Sequence, residues 1–596
     1  MCGIAGIITT PEGRAILERR DASLDAMAAA MAHRGPDGRG ELRRDGVAFT
    51  HLRLAIIDLT GGDQPLHGPG GLALVGNGEI YNYRELRGEL AGVNFATNSD
   101  CEPPLYLYRR DGVGFVEQLR GMYAIALHDP ANDRVLLSRD PFGIKPLYVM
   151  PTKLGLAFAS EPQALLAAEW AERRVNPEKA AELLQLQFTT GKDTIFPDIK
   201  RVAPGETIVV EQGRMVGHHY RSCWPTPDPE AAKWQTSGEK AVERFDQVFQ
   251  DTVDFHQRSD VPYGMFLSGG VDSSAILAMM ARLNGQPVKA FTAGFPETGV
   301  HDERDHARAV AQAVGAEHVE VAIQEFDFWA HLPKIVAAMD DPVADYAIVP
   351  TWFLARQAAK SVKVILSGEG GDELFAGYGR YRGAVRPWPC KKAMRAKGAL
   401  DGLGVLRDDG NGWRRGVAAA EKAVAAAGIK GLQAQQAVDC LDWLPNDLLT
   451  KLDRCLMAHG VEGRVPFLDV EIARFAQTLP DSLRVHGRLG KYVVRRWLEK
   501  HLPQSKPFAK KRGFTVPVAE WIGLEAKALG PLVAANPGVA EICDPEAVRK
   551  VFAALAVENP DKRTGAAAWH LLFYALWHRR HIEGAAVNAG VFDVLK

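Results

Sequence analysis

The amino-acid sequence predicts two folded units of different class: an N-terminal layered α+β domain rich in antiparallel sheet, and a C-terminal α/β domain on a parallel sheet with a largely helical extension. Three patterns in its 596 residues predict this. Short β segments at 3–8, 46–54, 71–77, 124–128, 134–138 and 156–160 are separated by turns such as Arg34-Gly35-Pro36-Asp37-Gly38, with few long helices between them, as in antiparallel layered folds. Next, Cys223-Trp224-Pro225-Thr226-Pro227-Asp228-Pro229 sets three prolines within five residues, a spacer that continues neither a helix nor a central strand. From residue 261 onward strands and helices alternate, the pattern of a parallel sheet with ligands at the carboxyl ends of its strands. The resulting division is a first domain at 1–215, a linker at 216–240, a second domain at 241–525 and a helical extension at 526–596.

Within the second domain, Val242, Phe245, Phe249 and Val253 recur at helical spacing. An apolar strand at 261–267 enters Ser268-Gly269-Gly270-Val271-Asp272-Ser273-Ser274 and an Ala/Leu/Met-rich helix. The alternation repeats with a strand at 288–294, a helix around 305–314, a strand at 318–321, and a strand at 362–366 leading to Ser367-Gly368-Glu369-Gly370-Gly371-Asp372. Residues 375–596 read as mainly helical, with an Ala-rich surface segment at 418–427.

The charge balance excludes several classes of function. Lys plus Arg number 71 and Asp plus Glu 73, a net charge of −2 with 24% charged and 46% hydrophobic residues. Phosphate-backbone affinity comes from clustered Lys and Arg, so nucleic acid is not the expected partner. No stretch approaches the ~20 apolar residues of a membrane span. The first residues, Met1-Cys2-Gly3-Ile4-Ala5-Gly6, lack the basic start of a secretory signal, and a cytoplasmic enzyme is expected. Cysteines at 2, 101, 223, 390, 440, 455 and 543 form no C-x-x-C pair, so neither a disulfide framework nor a zinc site is expected. Apart from Cys2 they read as buried thiols.

Removal of Met1 is expected to place a thiol and a free α-amine together on Cys2. An α-amine titrates near ~7.7–8.0, so close to neutral pH it accepts the thiol proton and leaves a nucleophile. Downstream stand His51-Leu52-Arg53-Leu54, Gly76-Asn77-Gly78-Glu79-Ile80-Tyr81-Asn82 and Asn98-Ser99-Asp100-Cys101-Glu102. With Cys2, this set resembles the class II glutamine amidotransferase domain, an Ntn-hydrolase-like fold, and the order across the chain is similar to glutamine-hydrolysing asparagine synthetases. The resemblance implies that Cys2 attacks the glutamine side-chain amide and that Asn77 and the Gly78 N–H stabilise the oxyanion. It implies further that Arg53 holds the substrate carboxylate, and Asp100 with Glu79 its α-amino group. These roles suit the chemistry: an oxyanion needs preorganised donors and a carboxylate a planar guanidinium. His33-Arg34-Gly35-Pro36-Asp37-Gly38, Arg139-Asp140-Pro141-Phe142-Gly143-Ile144-Lys145-Pro146-Leu147-Tyr148 and Ser160-Glu161 read as scaffold.

The second motif, Ser268-Gly269-Gly270-Val271-Asp272-Ser273, brings backbone N–H groups to a phosphate at a helix start. It lacks the Lys of a Walker loop. It resembles the pyrophosphate loop of enzymes that cleave ATP between the α and β phosphates, and Ser367–Asp372 falls where the family has its matching segment. The resemblance implies ATP as cosubstrate, with Leu267, Ala293, Ser367 and Gly368 around adenine and ribose and Asp272 with Asp372 as Mg²⁺ ligands. Glu369 is then a candidate general base for ammonia attack, and Lys491 a candidate for stabilising negative charge as the adenylate forms and breaks. The segment 457–469, ending in Arg464-Val465-Pro466-Phe467-Leu468-Asp469, is read as architecture bordering the site. Two sites require ammonia to travel unprotonated between them. The family has an enclosed tunnel, and Met122 stands at a position that lines it or packs as core.

The resemblance covers residues 1–525. Val271 replaces a common Leu, Gly371 a common Ser and Ala376 a common Gly, and Pro103-Pro104 replaces branched apolar residues in what proline tolerates, a first helical turn. Ala347 replaces a common Ser in a segment expected near the acceptor. The expected substrates are glutamine, ATP and aspartate, with another carboxylate, such as a peptide or a sugar acid, as the alternative acceptor, and the family suggests a homodimer. Rival readings are a non-catalytic scaffold, and a synthetase using only free ammonia.

Overall fold

The computed structural model describes residues 2–13, 17–224, 238–300, 302–383, 393–408, 410–509, 515–556 and 561–596. Met1, the three prolines of the spacer and Cys390 lie outside the described residues. The other six cysteines are buried free thiols, as expected for five of them from sequence.

The N-terminal domain has twelve strands: β1 (Gly3–Thr9), β2 (Gly38–Arg44), β3 (Val47–Arg53), β4 (Leu66–His67), β5 (Ala73–Ile80), β6 (Gly121–Asp129), β7 (Arg134–Arg139), β8 (Tyr148–Thr152), β9 (Gly155–Ala159), β10 (Lys200–Arg201), β11 (Glu206–Glu211) and β12 (Arg214–Tyr220). They form two antiparallel sheets, ordered β10-β8-β9-β1-β3-β2 and β12-β11-β7-β6-β5-β4. Side-chain alternation explains the stacking. Ile4 and Ile8 of β1 face inward with Phe49, Phe158, Val75, Ala126, Leu137 and Val210, filling the space between the sheets. Ala5 and Ile7 face the other way, against Met27 of the helix Leu17–Ala30. The outer face of the second sheet, Leu74, Ile125 and Leu136, is covered by Leu105 and Leu107 of the helix Pro103–Asp111. The domain is thus a helix–sheet–sheet–helix sandwich.

The C-terminal domain carries a five-stranded parallel sheet, ordered β15-β14-β13-β16-β17, made of β13 (Tyr263–Phe266), β14 (Lys289–Gly294), β15 (Glu317–Ala322), β16 (Val364–Leu366) and β17 (Glu462–Arg464). β14 and β15 extend to one side of β13 while β16 and β17 lie on the other. That reversal between β13 and β16 is the topological switch point where open α/β sheets bind ligands. Both Gly-rich loops leave the sheet there, one after β13 and one after β16.

The helices beyond residue 515 include Val518–Ala535, Pro545–Leu555 and Lys562–His581. The last is buried almost all round and joins the core with Ile335 and Val336. Its indoles reach back to the segment after the helix Glu325–Ala338: Trp577 Nε1 donates to Met339 O at 2.9 Å and Trp569 Nε1 to Ala344 O at 2.6 Å.

Candidate active sites

Cys2 immediately precedes β1 and is 9% exposed. Its backbone nitrogen donates to Asn77 Oδ1 on β5 at 3.2 Å, and its Sγ lies 3.9 Å from Leu54 O, just past β3. Antiparallel pairing of β1 with β3 brings this end of β1 beside Arg53. Burial pushes the Cys2 thiol up, so a base is needed to ionise it. Gly78 has φ of +151°, and a Cβ there would fall 2.0 Å from Met122 O on β6, which only glycine avoids.

Arg53 is held by its own loop: Nη1 donates to Leu59 O at 3.3 Å and pairs with Asp63 Oδ1 at 2.8 Å, and Nη2 donates to Asp58 O at 2.5 Å. Asp63 is 79% exposed, so Arg53's charged partner is a weak, solvated one. Asp100 Oδ2 accepts from Ile80 N at 2.7 Å, and burial pushes its carboxyl up to about 6. Glu79 lies buried beside it, its carboxyl raised by burial and by Glu462 and Asp100. Met122, opposite Glu79 on β6, is fully buried in a core that spans both domains.

At the second site, Ser268 Oγ and Ser273 Oγ lie 3.1 Å apart and Gly270 N donates to Ser268 Oγ at 3.2 Å, closing the loop ahead of the helix Val271–Leu283. Gly269 takes φ of +70° in that turn. Leu267 N donates to Phe291 O, Ala293 lies near the end of β14, and Ser367 N donates to Arg464 O at 2.8 Å. Ser367 Oγ donates to Glu369. Lys491, buried with φ of +59°, bonds to Asp272 and pairs with Asp372 Oδ1 at 2.9 Å. Burial opposes its charge, yet the two carboxylates hold its ammonium above the usual lysine range. A Cβ at Gly371 would fall 2.3 Å from Asp272 Oδ1, so glycine in place of the common Ser lets the two loops close on each other. Among the described residues no group of three or more His, Cys, Asp and Glu could hold a metal ion. Two carboxylates flanking one cation suit Mg²⁺ that takes its remaining ligands from phosphate oxygens and water.

The structure thus brings the predicted residues together as two clusters, and adds residues that the sequence reading treated as scaffold or passed over. Arg34 Nη1 donates to Glu161 Oε1 at 2.7 Å and Asp453 Oδ2 at 2.8 Å, Nη2 to Asp453 Oδ1 at 3.0 Å, and Nε to Cys2 O at 3.2 Å. Arg454 Nε donates to Asp340 Oδ1 at 2.6 Å, Tyr148 OH to Asp341 Oδ2 at 2.8 Å, and Lys145 Nζ to Gly463 O at 3.1 Å. The contacts of Arg34 with Asp453, Tyr148 with Asp341 and Lys145 with Gly463 join the two domains. Segment 457–469 is more than a border, since its β17 carries Glu462 and Arg464 toward Glu79. Before the helix Ile348–Ala358, Lys451 Nζ donates to Asp345 Oδ2 at 2.8 Å, and Asp447, pushed up to about 8 by burial and Asp345, accepts from Gln187 Nε2 at 2.8 Å. Ala347 N donates to Asp345 Oδ1 at 2.9 Å, where the helix Ile348–Ala358 begins. The signal for these residues was present only as charged positions in apolar surroundings.

Comparison with known proteins gives two family matches: asparagine synthase over residues 244–579 and glutamine amidotransferase domain over residues 1–221. Asparagine synthetase [glutamine-hydrolyzing] 1 of Bacillus subtilis (strain 168) is 31% identical, the alignment covering 98% of this chain and 97% of the relative. A Mycobacterium tuberculosis (strain ATCC 25618 / H37Rv) relative, 34% identical over 98% of both chains, carries the glutamine-hydrolysing asparagine synthetase name provisionally. Asparagine synthetase B [glutamine-hydrolyzing] of Escherichia coli (strain K12) is 28% identical, over 88% of this chain and 83% of the relative.

Proposed function

The chain belongs to the family of glutamine-hydrolysing asparagine synthetases, and from that premise we propose how its residues divide the reaction. It is a ligase that makes asparagine from aspartate, glutamine and ATP, releasing glutamate, AMP and pyrophosphate. Once Met1 is removed, the Cys2 α-amine takes the thiol proton and the thiolate attacks the glutamine amide carbon. Asn77 and the Gly78 N–H receive the oxyanion, Arg53 holds the substrate carboxylate, and Asp100 with Glu79 its ammonium. Collapse expels ammonia, and water cleaves the thioester to glutamate.

In the second domain, Leu267, Ala293, Ser367 and Gly368 border the adenosine, while Ser268, Gly269, Gly270 and Ser273 present hydroxyl and N–H groups to the pyrophosphate. Asp272 and Asp372 would hold Mg²⁺, which when bound neutralises phosphate charge. The aspartate side-chain carboxylate attacks the α-phosphorus, breaking the α–β bond, and Lys491 stabilises the charge that develops. Glu369 takes a proton as ammonia displaces AMP. Met122 lies on the route we assign to ammonia. We extend the proposal to a homodimer in the cytoplasm; no helix among the described residues is long and apolar enough to cross a membrane.

The observation that carries this reading is Lys491 bridging Asp272 and Asp372 at the switch point, in the same chain as Cys2 bonded to Asn77. The test is a mass-spectrometric product assay with glutamine, ATP, Mg²⁺ and aspartate. Asparagine and AMP rising together, and neither without aspartate, is the expected result. Glutamate without asparagine or AMP would refute aspartate as acceptor and turn attention to other carboxylates, with Ala347 as the first reason.

A further inference from the structure

Glu79, a member of the glutamine site, takes part of its surroundings from the other domain. It is 5% exposed and sits on β5. The titratable groups around it are Cys2 ahead of β1, Tyr81 just after β5, Asp100 and Cys101 from the turn before the helix Pro103–Asp111, and Glu462 and Arg464 of β17. Arg464 and the chain's N-terminal amine are the cations whose charge reaches Glu79. Arg464 Nε donates to Glu462 Oε1 at 2.7 Å, and its Nη1 to His256 O at 3.0 Å and Arg258 O at 2.7 Å. Those bonds fix the guanidinium plane and leave Nη2 3.4 Å from Glu79 Oε2. Both of these buried atoms lack a hydrogen-bond partner. Arg258 clamps the same corner, donating to Tyr81 O at 2.6 Å and to Glu85 Oε2 at 2.8 Å.

We propose that Arg464 is a positioning residue for glutamine: its guanidinium, delivered by the synthetase domain, holds Glu79 as an anion facing the substrate's α-ammonium. The inference rests on the reading of Glu79 as an ammonium holder. Three carboxylates, Glu79, Asp100 and Glu462, gather around the Arg464 guanidinium and the N-terminal amine, so the site favours one further positive charge, and the ammonium of glutamine supplies it. Without Arg464 two like charges beside Glu79 would drive it to take up a proton, and a neutral carboxyl is a poor ammonium acceptor. The glutaminase site is therefore complete only with β17 docked against β5.

The test is steady-state kinetics on the full chain, reading glutamate release and ammonia-driven asparagine synthesis separately. Arg464→Lys keeps a cation for Glu462 and removes the arm that faces Glu79; the side chain touches none of the residues assigned to ATP. The expected result is a glutamine KM raised roughly tenfold near pH 7, the effect of about one unit in a carboxyl's ionisation, with ammonia-driven synthesis retained. Raising the pH should narrow the variant's KM gap from wild type as Glu79 ionises unaided. Arg464→Met should enlarge the effect, and if that variant does not fold, Arg464→Lys decides alone. An unchanged glutamine KM in Arg464→Lys, or ammonia-driven synthesis falling in step with glutamate release, overturns the proposal. Glu79→Gln separates the two levels. An unchanged glutamine KM in that variant removes Glu79 from the site and the proposal with it, whereas a raised KM beside a normal Arg464→Lys removes the role of Arg464 alone.

Discussion

Replacing Arg34 with Met tests whether the two domains are joined by buried charge. Arg34 is fully buried, and its partners Glu161 and Asp453 are 0% and 3% exposed. Solvent therefore offers no substitute when the guanidinium is lost. Breaking a buried pair by removing one partner costs about 3–5 kcal/mol, because the remaining charge is left uncompensated. For a unit of the size of the N-terminal domain, each kcal/mol moves the melting temperature by about 2–4 °C, so Arg34→Met should lower it by roughly 6–20 °C. Asp453→Asn in the Arg34→Met background removes one of the carboxylates that lost Arg34, the one Arg454 still holds. The double variant should be more stable than the two single losses predict, with a coupling of about 1–3 kcal/mol. The pH dependence has a definite sign. Burial pushes the Asp453 carboxyl up, but Arg34 and Arg454 hold it below its ordinary value. Its contribution is fully present above the unfolded value near 3.9 and is lost as pH falls through the lower folded value. The gap between wild type and Arg34→Met should be full at neutral pH and close in acid. Calorimetry on the four proteins of the cycle measures this. A melting shift under about 2 °C, or losses that simply add, would refute the reasoning.

Cys2→Ala should abolish glutamine-dependent synthesis and keep ammonia-dependent synthesis; loss of both with the fold intact counts against separate sites, and unchanged glutamine use against any role for Cys2. Trp569→Phe removes the donor to Ala344 O and leaves a buried carbonyl unsatisfied, a cost of about 1–3 kcal/mol. It should raise the KM for aspartate while glutamate release is unaltered, and a normal aspartate KM would show that the C-terminal helix does not position the acceptor segment. The Asp100 carboxyl, at about 6, should take up a proton as pH falls through that value. Glutamine KM should then climb up to about tenfold per pH unit. A flat KM down to about pH 5 contradicts a role for that carboxylate.

The layered N-terminal domain was legible because β1, β3, β5, β6, β7 and β9 alternate apolar residues between turn signals. The parallel sheet was legible because Ser268–Ser273 and Ser367–Asp372 each follow an apolar strand. β17 was not. Glu462-Gly463-Arg464 looks like a polar turn by composition, and it is a strand because β16 offers a parallel edge, Glu79 faces the Arg464 guanidinium and Lys145 Nζ donates to Gly463 O in the interior. The domain-joining network was equally hidden, since Arg34 and Asp453 lie 419 positions apart and each alone looks like an ordinary surface charge. The helix Lys562–His581 carries no motif. Its role emerges only when Trp569 and Trp577 are seen donating to main-chain oxygens of the segment after the helix Glu325–Ala338.

The central claim is that one chain makes ammonia at Cys2 and consumes it, without release, at the site of Lys491. The most direct measurement supplies glutamine labelled with ¹⁵N in its amide, together with excess unlabelled ammonium, ATP, Mg²⁺ and aspartate, and reads the isotope in the asparagine formed. Asparagine carrying the glutamine label despite the unlabelled pool is the predicted result. Label diluted to the ratio in bulk solution would contradict an enclosed transfer between the two sites.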